Sequence, residues 1–392
     1  MDTITHAFAG ALLGKGLFTT RRSETPTEFS PQARVAIFAA TLGSAFPDVD
    51  VLYDVVSRNN LAMLKYHRYV THSLILLPLW ALGIAWLVRW AARKFGIESP
   101  SFGWTYLATA VGIASHLLLD VTTSFGTMIW SPFSRDRVAW DIIFIIDFTM
   151  TALLLVPQIA SWVHRDPKQT VRRASRMWAL FTVLALAVSG IANALAYPFS
   201  LWVVPAASAI FALVFFLPLR GARGLRIRRS TWARGGLLAA GAYLLFCAGA
   251  HFVALRRLRY FAVNQEIAVR ELGSLPLAPS PMVWDGLIRT DNGVYRLHQT
   301  LVSSNSIEYD FYPDSAPGKL LDAALDLPET QTYLWFARFP VFRLQHVDGN
   351  SAIEIMDMRF VMNNRRSPGF TFRVTFNSAG NVIQKGIVKD SR

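Results

Sequence analysis

Apolar segments separated by polar loops make up the first two thirds of the chain. They cover residues 2–18, 33–56, 73–92, 104–124, 140–162, 177–197, 199–219 and 236–255. A helix needs about 20 apolar residues to cross the hydrocarbon core of a bilayer. Residues 2–18 are short for a span, and the pattern predicts an α-helical polytopic membrane domain with about seven spans.

From about residue 260 the apolar and polar positions alternate, as they do in half-buried β-strands. Turn signals such as Asp291-Asn292-Gly293 separate pairs of alternating runs, and this order is typical of β-hairpins. The predicted hairpins cover residues 283–302, 339–360 and 370–388. We expect a small β-rich extramembrane domain. The predicted domains are 1–162 (a helical metal-site domain), 163–256 (additional spans) and 257–392 (the β-rich domain).

Composition agrees with a membrane protein. Of 392 residues, 53% are hydrophobic, and the single cysteine, Cys247, lies in an apolar segment, so no disulfide can form within the chain. The net charge of +13 comes from Arg and Lys between the apolar segments, where cytoplasmic loops carry them. We therefore predict an integral membrane protein that does not bind nucleic acid.

The basic loops predict the orientation. Residues 165–176 and 220–234 are rich in arginine and belong in the cytoplasm. The alternation of spans then places the β-rich domain on the extracytoplasmic side of the membrane. It also places the scattered His and Asp residues of the first five segments at the outer ends of their helices.

His116 and Asp120 stand out because they are polar residues in an apolar helix. Four residues apart, they share one helix face. A charged Asp at the centre of a membrane helix costs about 2.5–3.5 kcal/mol on insertion scales, so compensating partners are expected. The predicted metal ligands at the same level are His6, Asp48, His67, His72, His116 and Asp120. A hydrogen bond between His116 and Asp120 alone is the structural alternative.

Nitrogen and carboxylate ligands without thiolates suit zinc, and manganese or iron also fit. We expect one or two divalent ions, since two ions can clamp a phosphodiester. The predicted catalytic residues are Asp50, Arg68 and Asp141. For Arg68 the alternative is a surface arginine, and for Asp141 a charge at a helix N-terminus.

Four motifs in this order resemble the YdjM-like family of membrane-bound metal-dependent hydrolases over about residues 1–160. The motifs are His6-x3-Gly10, Pro47-Asp-x-Asp50, His67-Arg-x2-Thr-His-Ser73 and His116-x3-Asp120. Their order is also similar to the zinc-dependent phospholipases C and P1-type nucleases. The resemblance implies ligands at His6, Asp48, His67 or His72, His116 and Asp120. Those enzymes carry a further His and Glu after the last motif, whereas Asp141, Asp147 and His164 follow it here.

The predicted function is a metal-dependent hydrolase that acts on a phosphoester of a lipid or lipid-linked substrate at the outer face of the membrane. The alternative is a non-catalytic membrane protein with a structural metal site and a β-rich domain that binds an envelope partner. Metal transport is a third hypothesis, although the acidic residues gather at one leaflet.

Overall fold

The structure of the protein is a computed structural model. The structure describes residues 1–20, 24, 28–57, 61–166, 168–194, 202–217, 227–277, 281–302, 308–316, 318–347, 349–361 and 370–388. Three predicted features lie partly outside these residues: the junction of the apolar segments 177–197 and 199–219, the basic loop 220–234, and the turn of the hairpin 339–360.

Helices form the N-terminal part of the chain, as predicted. In the described residues they are α1 (Thr3–Leu17), α2 (Pro31–Ala45), α3 (Val51–Val56), α4 (Ala62–Tyr66), α5 (Leu77–Lys94), α6 (Phe102–Val121), α7 (Phe148–Val163), α8 (Thr170–Ala194), α9 (Val203–Phe216) and α10 (Arg229–Asn264).

By length and composition, four helical stretches of the described residues can cross a membrane: Pro31–Tyr53, Phe102–Val121, Thr170–Ala194 and Arg229–Asn264. A fifth is a pair bent by 74°, Ala62–His72 with Leu77–Lys94, and α7 and α9 are shorter apolar helices. The prediction of a helical membrane protein is therefore confirmed, with four to five candidate spans. The predicted number of about seven spans stays a prediction.

Helix α7 begins eight residues later than the predicted start at 140. Its N-cap is Asp147, whose side chain accepts a hydrogen bond from the backbone N–H of Met150 at 2.8 Å. Asp141 has φ of 55° and cannot start a right-handed helix. The apolar residues 142–146 extend the hydrophobic pattern without extending the helix.

The C-terminal part forms two four-stranded antiparallel sheets, which confirms the β-rich domain. The first contains β1 (Glu271–Pro276), β2 (Val283–Arg289), β3 (Gly293–Thr300) and β4 (Glu308–Pro313), and the second contains β5 (Pro340–Val347), β6 (Asn350–Asp357), β7 (Thr371–Phe376) and β8 (Val382–Ile387). All three predicted hairpins are present. Strands β1 and β4 and two helices, α11 (Gly318–Leu325) and α12 (Pro328–Phe336), were not predicted.

The chain divides into two compact units. The first comprises Met1–Pro47, Leu74–Leu119 and Ile146–Leu245, and the second comprises Asp48–Ser73, Asp120–Ile145 and Phe246–Arg392. Helices α6 and α10 each run from one unit into the other.

Small residues bring helices together in the first unit. A Cβ at Gly10 would lie 2.5 Å from Cβ of Ser44, and one at Gly112 would overlap the carbonyl oxygen of Ala40. Glycine allows such close approach because it has no side chain. The backbones of α1, α2 and α6 consequently meet next to His6 and His116.

The second unit has an aromatic core that joins parts distant in sequence. Leu61, Leu64 and Phe125 pack with Tyr333 and Phe336 of α12 and with residues of the second sheet. Leu61, Leu64 and Phe125 therefore pack directly against the C-terminal domain.

Candidate metal centre

Two irregular segments carry three of the six predicted ligands, Asp48, His67 and His72. After α2, residues Phe46–Asp50 form a 3-10 turn that starts next to Pro47, a residue that lacks a backbone N–H and weakens a continuing helix. After α4, Arg68 adopts φ of 64° and Val70–His72 form a second 3-10 turn. A non-glycine residue in the left-handed region is strained and needs support from its surroundings.

Asp50 supplies that support. Its Oδ2 accepts hydrogen bonds from the backbone N–H of Arg68 at 2.9 Å and from Oγ1 of Thr71 at 3.0 Å. Its Oδ1 lies 2.9 Å from Nδ1 of His67, and Oδ2 lies 3.2 Å from Nδ1 of His72. One carboxylate thus fixes the whole turn that carries the histidines.

Four predicted ligands come together as one buried group. Asp48, His72, His116 and Asp120 each offer a ligand atom, and these atoms all lie within 4.8 Å of one another. His116 lies one helical turn before Asp120 on α6, so the two share a helix face as predicted. The exposed fraction is 0% for His72, His116 and Asp120 and 9% for Asp48.

The donor set fits a divalent cation. Nε2 of His72 lies 3.2 Å from Oδ2 of Asp120 and 3.7 Å from Oδ1 of Asp48. Zinc binds His and Asp at about 2.0–2.2 Å, so neighbouring donors in a tetrahedral site are about 3.3–3.5 Å apart. The two imidazoles and two carboxylates of the group can hold a divalent metal ion.

Both histidines of the group are oriented through Nδ1. Nδ1 of His116 lies 2.7 Å from the carbonyl oxygen of Ser44 and donates to it, so Nε2 is left to act as the ligand atom. Nδ1 of His72 faces Asp50, and Oγ1 of Thr71 lies 3.1 Å from it. A carboxylate or carbonyl behind a ligating imidazole fixes its tautomer and raises its basicity.

Arg68 is part of the site and is not a surface arginine. Its side chain is 2% exposed, and Nη2 lies 2.9 Å from Oδ1 of Asp120. Nη1 donates to Oγ1 of Thr123 at 3.1 Å, and the guanidinium lies 5.0 Å from the ring centre of Phe125. Its positive charge partly balances the buried carboxylates.

Two predicted ligands lie outside the four-residue group. His6 is fully buried and stacks on His116, with ring centres 3.6 Å apart and an angle of 20° between the rings. Its carbonyl oxygen accepts a hydrogen bond from Oγ of Ser44 at 2.7 Å. His67 contacts Asp50 through Nδ1. His6 therefore lies beside His116, and the ring centre of His67 lies 5.8 Å from that of His72.

Asp141 pairs with the C-terminal domain. Its Oδ2 accepts a hydrogen bond from Nη1 of Arg338 at 2.9 Å, and Nε of Arg338 donates to Glu271 at 3.2 Å. Burial alone lowers the pKa of Arg338, but the two carboxylates outweigh burial and raise it above its usual value. This pair links the loop after α6 to the segment between α12 and β5, and Glu271 adds a contact with β1.

Arginines not singled out in the sequence hold the loop that follows Asp120. Arg359 donates to the carbonyl oxygen of Ser124 at 2.8 Å, and Arg137 donates to the carbonyl oxygens of Leu64 at 2.6 Å and Gly126 at 3.0 Å. Burial and the charges of Arg68 and Arg359 lower the pKa of Arg137 to about 9. No local motif marks these residues, because their partners are backbone carbonyls, which any residue type supplies, and those of Leu64 and Ser124 are also distant in sequence.

The chain is similar to a known family and to a curated protein. The family model described as YdjM inner membrane protein matches residues 1–197, half of the chain. The uncharacterized protein YfhP of Bacillus subtilis (strain 168) is 30% identical over 144 residues, which cover 36% of this chain and 41% of that protein. The chain thus spans about two fifths of the length of this relative.

No solved structure matches the chain. The matches support the family resemblance of the four motifs. They give no support to the further similarity to zinc-dependent phospholipases C and P1-type nucleases.

Proposed function

The chain belongs to the YdjM inner membrane protein family, and from this premise we propose that it is a metal-dependent hydrolase with its active site at Asp48, His72, His116 and Asp120. The bond that it cleaves is a phosphoester of a lipid or lipid-linked substrate. The observation that carries the proposal is a buried set of nitrogen and oxygen donors next to an arginine and a further carboxylate.

The choice of donors favours catalysis over a structural metal. Structural zinc sites are mostly built from cysteine thiolates, whereas hydrolytic sites use His and Asp or Glu. Cys247 is the only cysteine and lies on α10, outside the group. Zinc is the proposed ion. When bound, a divalent ion supplies Lewis acidity and lowers the pKa of a coordinated water.

The residues around the group have distinct proposed roles. Arg68, whose guanidinium carries a planar fork of donors, binds phosphoryl oxygens. Asp50, the most closely placed additional carboxylate, orients His67 and His72 and accepts a proton during hydrolysis. Asp141 acts as a positioning residue through Arg338. His6 and His67 are proposed to orient the ligand set, or to hold a second ion.

The membrane setting favours a lipid substrate. Asp48 and Asp120 lie at the ends of two apolar stretches that can cross a membrane, Pro31–Tyr53 and Phe102–Val121. The positive-inside rule places these ends at the outer leaflet. A phosphate at headgroup depth is close to such a site, whereas a nucleic acid duplex is not. The proposed location is the inner membrane, with the C-terminal domain outside the cytoplasm.

The second candidate function is a structural metal site. It is favoured by the complete burial of three of the four side chains and by the fact that four protein ligands can close a tetrahedral zinc site. In that case the ion joins the segments that carry the ligands, and the C-terminal domain binds an envelope partner.

The test is turnover by the full chain purified in detergent and loaded with zinc, manganese or iron. The substrates are phospholipids and lipid pyrophosphates labelled in the headgroup or phosphate. We expect release of the labelled group by the wild-type protein, loss of release by at least 100-fold in His116→Ala, and unchanged release in His164→Ala. His164 is a suitable control because it is a ring-stacked histidine outside the group.

Two results would contradict the proposal. Release at the wild-type rate by His116→Ala would exclude this site as the catalytic centre. A wild-type protein that releases no label from any of these substrates, and that melts on removal of the metal, would establish the structural function instead.

A further inference from the structure

Helix α10 is longer than a bilayer requires. It contains 36 residues, and its apolar part, residues 235–255, lies between Arg234 and Arg256. At 1.5 Å per residue this part is about 32 Å long, close to the 30 Å thickness of the hydrocarbon core. Leu255 therefore marks the edge of the hydrocarbon, and Arg256, Arg257 and Arg259 follow at the level of the headgroups.

The first sheet packs on α10 before that edge is reached. Trp284 of β2 is fully buried against Ala250 and Ala254, and its ring stacks on His251 with ring centres 5.4 Å apart. Ala250 lies five residues before Leu255, which is about 8 Å along the helix axis. The sheet thus contacts residues within the apolar part of α10.

One end of the first sheet makes the contacts with α10. It consists of Met282–Trp284, where β2 begins, and Thr300–Val302, where β3 ends, and we call it the hairpin end. Leu301 packs against Ala250, Ala254 and Trp284, and Arg257 donates to the carbonyl oxygens of Thr300 and Leu301 at 3.2 and 3.3 Å. These contacts fix the height of the hairpin end along α10.

Exposed apolar side chains lie at the same height. Val302 is 78% exposed, and Phe252 and Val253 of α10 are 65% and 42% exposed. In water each side chain left exposed forgoes about 1.5–3 kcal/mol of burial free energy. Arg256 follows these side chains on α10, and arginines near the ends of spanning helices reach the headgroup interface.

We propose that the hairpin end of the first sheet is embedded in the headgroup and upper acyl region of the bilayer, and that phospholipid covers Val302. Phospholipid is the occupant because the surface is continuous with the spanning part of α10. The turn at Asp291–Gly293, at the other end of β2 and β3, lies about 20–25 Å away along strands that rise about 3.3 Å per residue. That turn projects into water. This inference does not depend on the metal site.

Single cysteines can report the depth of each position. Cys247 is the only cysteine, so Cys247→Ser gives a background into which Val302→Cys, Asn292→Cys and Phe252→Cys are introduced. The full chain is labelled with an environment-sensitive fluorophore and reconstituted in phosphatidylethanolamine and phosphatidylglycerol vesicles. Lipids that carry a nitroxide at a shallow acyl position serve as quenchers.

We expect at least threefold stronger quenching at position 302 than at position 292, and strong quenching at position 252, which calibrates the helix. Equal weak quenching at 302 and 292 would overturn the proposal and leave a protein partner as the occupant of Val302. Equal strong quenching at 302 and 292 would overturn it as well, because the turn at 292 would then also lie in the bilayer. Weak quenching at 252 would overturn it because α10 would then not lie at the inferred depth.

Discussion

Asp50 is the residue on which the geometry of the histidine turn depends. It contacts His67, the backbone of Arg68, Thr71 and His72, and it stands behind a ligating imidazole. The motif with two aspartates predicted a role for it, but the sequence could not tell a ligand from a residue that orients one.

Asp50→Asn should weaken metal binding without abolishing it. The amide removes the negative charge behind His72, and loss of such a partner costs about 10–100-fold in affinity. Competition with a fluorescent chelator measures the dissociation constant. Asp136→Asn, at an exposed aspartate in the loop after α6, is the control. An unchanged constant in Asp50→Asn would show that His72 is not oriented by this carboxylate.

Arg68→Met should destabilise the metal-free protein more than the metal-loaded one. Loss of one partner of a buried ion pair costs about 3–5 kcal/mol, and here it leaves Asp120 without the guanidinium 2.9 Å away. A bound cation supplies the missing positive charge. Thermal unfolding with and without a chelator measures the difference, and Arg135→Met, at an exposed arginine, is the control. Equal destabilisation in both states would argue against a cation next to Asp120.

At the scale of elements, the sequence predicted best what depends on local pattern. The helices and the three hairpins follow from apolar periodicity and from turn residues. Strand β4, Glu308–Pro313, was missed because it is an exposed edge strand with a polar sequence. The start of α7 was misplaced because residues 142–146 are apolar without being helical, and only the cap at Asp147 marks the true start.

Gly112→Ala should lower both stability and metal content. The new Cβ would overlap the carbonyl oxygen of Ala40 and lie 2.9 Å from the nitrogen of Ser44, whose carbonyl oxygen orients His116. Gly103→Ala, on the same helix, is the matched control because a Cβ there meets nothing within 4 Å. Elemental analysis and thermal unfolding of the two variants make the comparison. If both variants behaved alike, close packing of α6 on α2 would not support the site.

At the scale of the whole molecule, the residues around the metal site are held by contacts within the N-terminal part of the chain and by contacts from the C-terminal domain. The family match ends at residue 197, yet Phe336, Arg338 and Arg359 of the C-terminal domain contact segments 120–145. From the sequence we predicted the metal site and the β-rich domain, and we expected both on the outer side of the membrane. These contacts could not be predicted, because they join residues about 200 positions apart without a shared motif.

Phe336→Ala should loosen the loop that follows Asp120. Phe336 is 1% exposed, and its ring centre lies 5.2 Å from that of Phe125. Truncation of a buried phenylalanine costs about 3–5 kcal/mol. Hydrogen exchange should become faster in peptides covering 122–128, whereas Phe133→Ala, at a residue 84% exposed, should leave it unchanged. Unchanged exchange in Phe336→Ala would mean that α12 does not hold this loop.

The central claim is that two imidazoles and two carboxylates bind a divalent ion. Elemental analysis combined with X-ray absorption at the metal edge of the purified full chain tests it most directly. We expect at least one ion per chain, a first shell of nitrogen and oxygen at about 2.0–2.2 Å with the outer-shell signal of two imidazoles, and loss of the ion in His116→Ala. A chain without stoichiometric metal after reconstitution, or an ion that survives His116→Ala with an unchanged spectrum, would contradict it.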